Sequence, residues 1–598
     1  MNTQARILTF LAVGACAYGT GVPAEASRAV FSADTLLFPT EAYVVTAEEL
    51  DHYNIHTLED ILELLFGVTW WREGPPGSRS GFSIGGRSDT GITLLVNGEP
   101  FYDPYTYEPL ARFLPLSRVK AVEVLFGGSP FVTGVCSSNG VINCIVDEAG
   151  GVGPLSEVEF TYGRNNRRAR RVWFSTPGDA ISASIAYDEY LQDAFESYPA
   201  IWGRRLGDYN SRSVLIDLVI EPDSVQSLCC KIQRYDDMYI GTPLSAIEGI
   251  RYDGFDSMIR YRRSGLVLSV GQRNLEQTRR AGRITGFATV GSVRYSGRIS
   301  GIQLRTYCSG ERSVFENRLW GVTFDPSFHR IEGGITVGGF GPAGTTWRAG
   351  LCGGGHSEIE GYIGGEAGVS IGRSDGFSQS LAVARRLRLP SAMELFQPEL
   401  EKTLDGIEFA TSGAIDLEPE VMEEVSLGTR LFSILTANFF LRRERFRIEL
   451  RGYDPAEFRA EGAAEVIGGS GIFTRRGRFL GFDYGINMGL EVFGKRSAYT
   501  NGIPEYRVRG GTYLSRRLFK QTETLSIRFD FEAAGDRIWE DMALDPYQVL
   551  HLSAGMTIMS ARIRFQVRNL LDETYETVPG FSMSGRYFII GMTWSLFD

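Results

Sequence analysis

Beyond residue 26 the chain has no stretch of about 18 uncharged apolar residues, so it holds no helix fit to span a bilayer. Histidine is scarce, five in 598 residues, and the five are scattered without the spacing of a metal site. The seven cysteines show no metal-ligand spacing either: Cys136 and Cys144 share a segment, Cys229 and Cys230 are adjacent, and Cys16, Cys308 and Cys352 stand apart. An oxidising compartment permits a Cys136–Cys144 disulfide, while packing of two free thiols is the simpler reading. Positive charge is in deficit, with 61 Lys and Arg against 72 Asp and Glu, a net −11 that argues against a nucleic-acid partner. No nucleophile elbow, paired-histidine motif or other catalytic signature is present, so the chain does not read as an enzyme and calls for no cofactor.

What is present begins with an export signal. Arg6 and the free amine supply a positive start, Ile7 to Ala17 form the apolar stretch, and Ala24-Glu25-Ala26 offers a small-x-small cleavage site, which makes residues 1–26 a signal peptide. A lipoprotein signal ending at Cys16 and a buried N-terminal helix are the alternatives. An exported chain without helical spans is periplasmic, secreted or an outer-membrane barrel.

A Gly-rich joint, Glu148 to Pro154, divides the rest. Upstream, residues 27–150 read as a compact α+β unit. Tyr43–Thr46 predicts a strand, and Thr46 with Glu49 three residues on reads as a capping box. A second helix is expected from Thr57 with Leu58, Ile61, Leu62 and Leu65 on one face, ended by Gly67. Strands are expected at Gly91–Val96, Ala121–Leu125 and Gly140–Val146.

Downstream, from 151 to 598, segments of about ten residues alternate apolar and polar, the period of a strand with two unlike faces. Leu525, Ile527, Phe529 and Phe531 stand against Ser526, Arg528 and Asp530; Ile563, Phe565 and Val567 stand against Arg562, Arg564, Gln566 and Arg568. In a soluble sheet the apolar face would meet a core, and in a membrane barrel it would meet lipid while the charged face lines a wet lumen. The pattern is common to both; size separates them. Roughly 450 residues at about 20 per strand and connection gives about 22 strands, the count of plugged outer-membrane transporters. The expected fold is therefore an all-β transmembrane barrel of about 22 antiparallel strands with a small α+β plug domain at its N-terminus.

Three stretches carry a family resemblance. Tyr43 to Leu50, Thr57 to Leu62, Phe66-Gly67-Val68, Phe82 to Arg87, Leu94 to Pro100, Val119 to Gly128 and Asn139 to Ile145 resemble the plug domain of TonB-dependent outer-membrane receptors. Arg388 to Phe396, Leu417-Glu418-Pro419-Glu420 and Glu424 to Gly428 resemble that family's mid-barrel strand-loop-strand element. Val567 to Glu576, Pro579-Gly580, Gly585-Arg586 and Phe588 resemble its closing hairpin. The chain departs from the pattern at three places. Leu596 falls where members usually end on an aromatic residue, Phe126-Gly127-Gly128 replaces an arginine-glycine-proline, and the coupling segment sits only a few residues before the first plug strand.

The resemblance implies uptake of a scarce nutrient, a siderophore, cobalamin or similar small molecule, energised by the inner-membrane proton gradient. It implies a periplasmic TonB-type protein that pairs with an energy-coupling segment by strand addition, here Asp34, Thr35, Leu36, Leu37 and Phe38, running on to Thr40. An ordinary signal-to-plug linker is the bland reading of the same residues. The resemblance further implies outer-membrane lipid and the barrel-assembly machinery as partners, and a monomer. Ligand contacts are expected from two plug loops carrying Trp71, Arg72 and Arg79, and Tyr102, Asp103, Tyr105 and Tyr107, whose aromatic faces and arginines suit a ligand with planar and anionic parts. The alternative is that these side chains pack the plug against the wall. Haem is disfavoured, because no histidine lies between Pro390 and Leu417. The rival function is a plugged barrel without active transport, an adhesin or structural protein.

Overall fold

The computed structural model describes Phe38, residues 42–46 and 49–50, and residues 57–596 except for connecting segments, the longest of them 127–139, 147–154 and 194–208. The N-terminal unit runs β1 Ala42–Thr46, α1 Leu58–Leu62, β2 Val68–Arg72, β3 Ser80–Ile84, β4 Ile92–Val96, β5 Glu99–Pro100, β6 Val119–Leu125 and β7 Gly140–Val146. One sheet has the order β1-β6-β7-β4-β5, with β4 and β7 parallel, and β2 pairs with β3 as a separate hairpin.

Local chemistry explains these elements. The capping box forms: the Thr46 N–H donates to Glu49 Oε2 at 3.1 Å and the Glu49 N–H to Thr46 Oγ1 at 3.5 Å. Thr57 caps α1 by accepting from the Asp60 N–H at 3.1 Å. Leu58, Ile61, Leu62 and Leu65 are all buried in the plug core, each worth about 1.5–3 kcal/mol on full burial. The helix is shorter than the apolar spacing implies. It ends at Leu62, and the chain reaches Gly67, at φ +77°, through turns. Asn97 and Gly98, at φ +50° and +83°, make the tight β4–β5 turn that needs left-handed backbone at both positions. Trp71 and Arg72, expected in a loop, lie at the end of β2, because Val-Thr-Trp-Trp is β-branched and aromatic and pairs in register with β3.

Among the described residues, 23 segments close a ring of antiparallel strands. Val322–Phe324 and Ser327–Phe340 both pair with Ile302–Leu319 and make one strand broken before Ser327, so the wall has 22 strands. Tyr587–Ser595 closes it against Leu155–Gly163, from Ile589 opposite Gly163 to Ser595 opposite Glu157. Leu596 still belongs to this seam: its N–H donates to the Ser156 carbonyl at 2.7 Å. Closure leaves no edge strand unpaired, as hydrocarbon demands.

The alternation resolves as a lipid face and a lumen face. Leu525, Ile527, Phe529 and Phe531 are exposed at 36–45%, while Ser526, Arg528 and Asp530 are buried inside. Ile563 and Phe565 point out, and Gln566 and Arg568 point in. Short connections such as 224–225, 264–265, 300–301 and 480–481 lie at one end, the periplasmic one by barrel convention, and the long ones 194–208, 389–419 and 569–586 at the other. Among the described residues no helix is long and apolar enough to cross a membrane. Cys144 is a free, fully buried thiol whose ionisation burial pushes up, and Cys136 lies outside the described residues.

Candidate functional site

The site is the junction of plug and wall, and barrel arginines build it. Arg507 donates to the Val68 carbonyl at 2.6 Å, Arg509 to the carbonyls of Leu65 and Val68, Arg442 to Gly85 at 3.0 Å, and Arg273 to Tyr102 at 2.6 Å. The Gln233 amide reaches the Phe113 carbonyl at 2.7 Å. The arginine contacts are charge-assisted bonds to main-chain oxygens left over at strand and helix ends. Ion pairs add to them. Arg568 lies 3.7 Å from Asp60 and 3.5 Å from Glu63, Arg167 lies 3.3 Å from Asp60, and Arg476 pairs with Glu49. Burial raises the Glu63 carboxyl above its ordinary range, with Arg568 opposing. Arg528 and Arg564, on the same charged face as Arg568, pair along the wall, with Asp530 at 2.6 Å and Glu159 at 3.2 Å.

The residues expected at the plug apices fall into two groups. At the β2–β3 hairpin, Trp71 meets Trp539 edge-on at 5.4 Å. Arg72 exchanges two backbone hydrogen bonds with Thr577 Oγ1, at 3.0 and 2.8 Å, and its guanidinium lies 3.9 Å over the Trp70 ring and 3.6 Å from Glu59. Arg79 lies outside the described residues. In the segment after β5, Tyr102 donates to Glu311 at 2.8 Å. Asp103 is buried and accepts from the Tyr105 N–H at 2.8 Å and from Gln277; burial pushes its carboxyl up to about 6 against those bonds. Tyr105 packs on Phe315 at 5.4 Å and its hydroxyl accepts from Asn317 at 3.3 Å. Tyr107, at φ +58°, sits under Arg330 at 5.6 Å. The described members of both groups thus touch the wall or the loops above it.

A loop element covers the second group. Ala392–Phe396 is a single helical turn whose Met393 N–H donates to the Tyr105 carbonyl at 2.9 Å, and Leu395 and Phe396 join the cluster around Tyr105, Phe315 and Phe328. One side chain fastens this cover. Arg388 binds Glu394 through two contacts of 3.0 Å and Glu420 through contacts of 2.7 and 3.0 Å. Glu394 also accepts from the Ser391 N–H at 2.6 Å, and Glu420 from the Ile448 N–H at 2.7 Å. The mid-barrel motif is therefore a clasp that joins both ends of loop 389–419. Sequence reading found its residues without their task.

Of the expected energy-coupling segment, Asp34 to Leu37 lie outside the described residues and Phe38 lies within them. Phe38 is buried against the inner wall, with the Arg348 guanidinium 4.4 Å over its ring. A side chain at Gly368 would meet that ring at 2.6 Å, so the glycine makes the slot that Phe38 fills. Among the described residues no group of three or more His, Cys, Asp or Glu is arranged to hold a metal ion.

Residues 36–141 match the TonB-dependent receptor plug domain family. The whole fold is similar to three solved structures. The siderophore receptor PirA from Acinetobacter baumannii is 15% identical, with 93% of this chain and 98% of that one covered at a TM-score of 0.76. A mutant of the ferric enterobactin receptor PfeA from Pseudomonas aeruginosa is 14% identical, covering 96% and 100% at 0.74. The copper transporter OprC is 13% identical, covering 94% and 99% at 0.76. At such identities the shared property is the fold. The chain has the plug-and-barrel architecture of TonB-dependent outer-membrane receptors.

Proposed function

We propose that the protein is a TonB-dependent uptake receptor that imports a scarce small-molecule nutrient across the outer membrane. The observation that carries this reading is the way the plug is held. A 22-stranded wall encloses a lumen wide enough to pass a solute of vitamin size, and the plug occupies it. The grip mixes aromatic contacts across the junction, such as Phe113 on Tyr235 and Tyr105 on Phe315, with guanidinium-to-carbonyl bonds and ion pairs. Such bonds exchange for water at a small net change, about 0.5–1.5 kcal/mol each and more where charged, so a pull on the N-terminus can loosen the plug stepwise. A static adhesin would gain nothing from a releasable stopper.

In this reading Asp34–Thr40 is the handle, and a periplasmic partner grips it by adding a strand. Trp71, Arg72, Arg79, Tyr102, Asp103, Tyr105 and Tyr107 shape the extracellular face that receives the ligand. Chelated or free metal is a candidate cargo in this reading, since the structures of similar fold include a siderophore receptor and a copper transporter. Deleting Asp34–Thr40 while barrel assembly is retained is expected to abolish uptake and spare ligand binding. Uptake that survives the deletion would remove the handle, and uptake that survives collapse of the proton gradient would remove energised transport.

A further inference from the structure

The seven cysteines are not all in one state. Among the described residues Cys144, Cys229, Cys230 and Cys308 are free thiols, whereas Cys352 is disulfide-bonded. The sequence holds only two more cysteines that could be its partner, Cys16 and Cys136. Cys16 falls in the apolar stretch of the export signal, where it is removed or, at the end of a lipoprotein signal, lipidated on sulfur. Elimination leaves Cys136.

The wall around Cys352 suits a second cysteine. Cys352 stands on Thr346–His356, buried on the lumen side among Tyr362, Leu387, Leu389 and Val421. Leu387 and Leu389 flank Arg388, so this is the outward end of the strand, beneath the clasp. The residue opposite Cys352 on each neighbouring strand is glycine, Gly334 on one side and Gly364 on the other. A side chain at Gly364 would come within 3.1 Å of the Cys352 sulfur, and one at Gly334 within 3.0 Å of its Cβ, so the two glycines keep open the space that a bonded partner needs. On the plug, Cys136 belongs to the connection between β6 and β7. Strand β7 runs parallel to β4, and β4 ends at the Asn97–Gly98 turn, beside which Glu99 pairs with Arg294 near the periplasmic end of Gly282–Ile299. The β6–β7 connection therefore joins the outward ends of its strands, in the same half of the molecule as Cys352.

We infer that Cys136 of the plug and Cys352 of the wall form a disulfide that pins the outward end of the plug to the barrel. Export places the chain where such bonds persist. The two thiols together give up two protons and two electrons as the Sγ–Sγ bond forms. A protein disulfide of the periplasm takes them up, its S–S bond breaking to two thiols by exchange through a mixed disulfide. The purpose of the bond rests on the proposed uptake role. Strand β1 is an edge of the plug sheet, paired with β6 alone, and it follows the handle in sequence. A pull on the N-terminus peels β1 from β6 first, while the pin keeps the joined ends of β6 and β7 at the wall. The plug then opens from its handle side without leaving the lumen whole.

The test uses the full-length receptor with a protease site set into the Glu148–Pro154 joint and its free thiols blocked by N-ethylmaleimide before cleavage. On denaturing electrophoresis without reductant, cleaved plug and barrel are expected to migrate as one species, and with reductant as two. Cys136→Ser and Cys352→Ser are each expected to take the joined fraction from nearly all to nearly none, while Cys144→Ala stays joined. A parent that separates without reductant, or a Cys136→Ser plug that remains joined, overturns the bond. Electrophoresis needs no transport, so the purpose is read separately, on uncleaved receptor in cells. Uptake is expected with the bond intact, and uptake that begins only after reduction overturns the pinned opening. A joined receptor that imports nothing in either redox state under an intact proton gradient would remove the uptake reading and leave the bond.

Discussion

Arg388 and Glu394 face each other through two parallel N–H···O contacts of 3.0 Å, six residues apart across a turn. The same guanidinium also holds Glu420, so three charges on three segments form one buried cluster. A network like this fixes geometry more than it adds stability, and removing one member strands the others.

The clasp predicts the behaviour of Arg388→Met. Barrel insertion is expected to persist, because the 22-strand ladder does not depend on it. Loop 389–419 is expected to loosen by about 3–5 kcal/mol, the typical loss when a buried ion pair is broken on one side. Limited proteolysis of intact cells reads this directly: cleavage within the loop rises sharply in the variant. Arg388→Lys is expected to rescue little, since a point charge cannot bind two carboxylates bidentately.

Ile527 points to lipid and is 39% exposed. Ile527→Lys places a charge in hydrocarbon at about 2–4 kcal/mol near the midplane, while Ile527→Leu is neutral. The fraction of heat-modifiable, folded barrel in outer-membrane preparations measures it. A fully assembled lysine variant would contradict the assignment of faces.

Gly368→Val is expected to eject Phe38 from its slot. The new side chain lands on the Phe38 ring, and the Arg348 guanidinium loses its aromatic partner. A cysteine placed at Thr35 is then expected to label about tenfold faster from the periplasmic side than in the parent, the ratio for a latch worth about 1.4 kcal/mol. Unchanged labelling would show that Phe38 does not hold the segment.

The raised carboxyl of Asp103 makes a pH prediction. Its folded value, about 6, lies above that of a free aspartate, so the protonated form is the one the fold favours. That stability is complete below about pH 4 and is lost as pH rises through 6. The amplitude is at most about 3 kcal/mol for a two-unit shift. Thermal unfolding followed from pH 4 to 7.5 is expected to show a falling midpoint, and Asp103→Asn is expected to flatten that slope. An equal slope in both proteins would place the titration elsewhere.

Much of this architecture was legible from side-chain order alone. Leu525 to Phe531 announces two faces because the strand period is two, and Asn97-Gly98 announces its turn because few other pairs tolerate that backbone. The Thr46–Glu49 box is local, so it too can be read. The arginine contacts were not legible. Arg507 and Arg509 bind carbonyl oxygens of Val68 and Leu65 more than 400 positions away, and a carbonyl leaves no mark in a sequence. Arg568 meets the plug, yet Arg528 and Arg564 look no different on paper. What separates them is which carboxylate lies within reach: Asp530 two residues along the same strand for Arg528, Glu159 two strands away for Arg564, and the plug's Asp60 and Glu63 for Arg568.

That the wall holds the stopper by its peptide oxygens has an evolutionary corollary. Every residue offers the same C=O, so the seat is indifferent to which amino acids the stopper carries there. At Leu65, Val68 and Gly85 the stopper's side chains can change without redesign of the socket, whereas Glu49, Asp60 and Glu63, which pair with wall arginines, tie it to this one barrel.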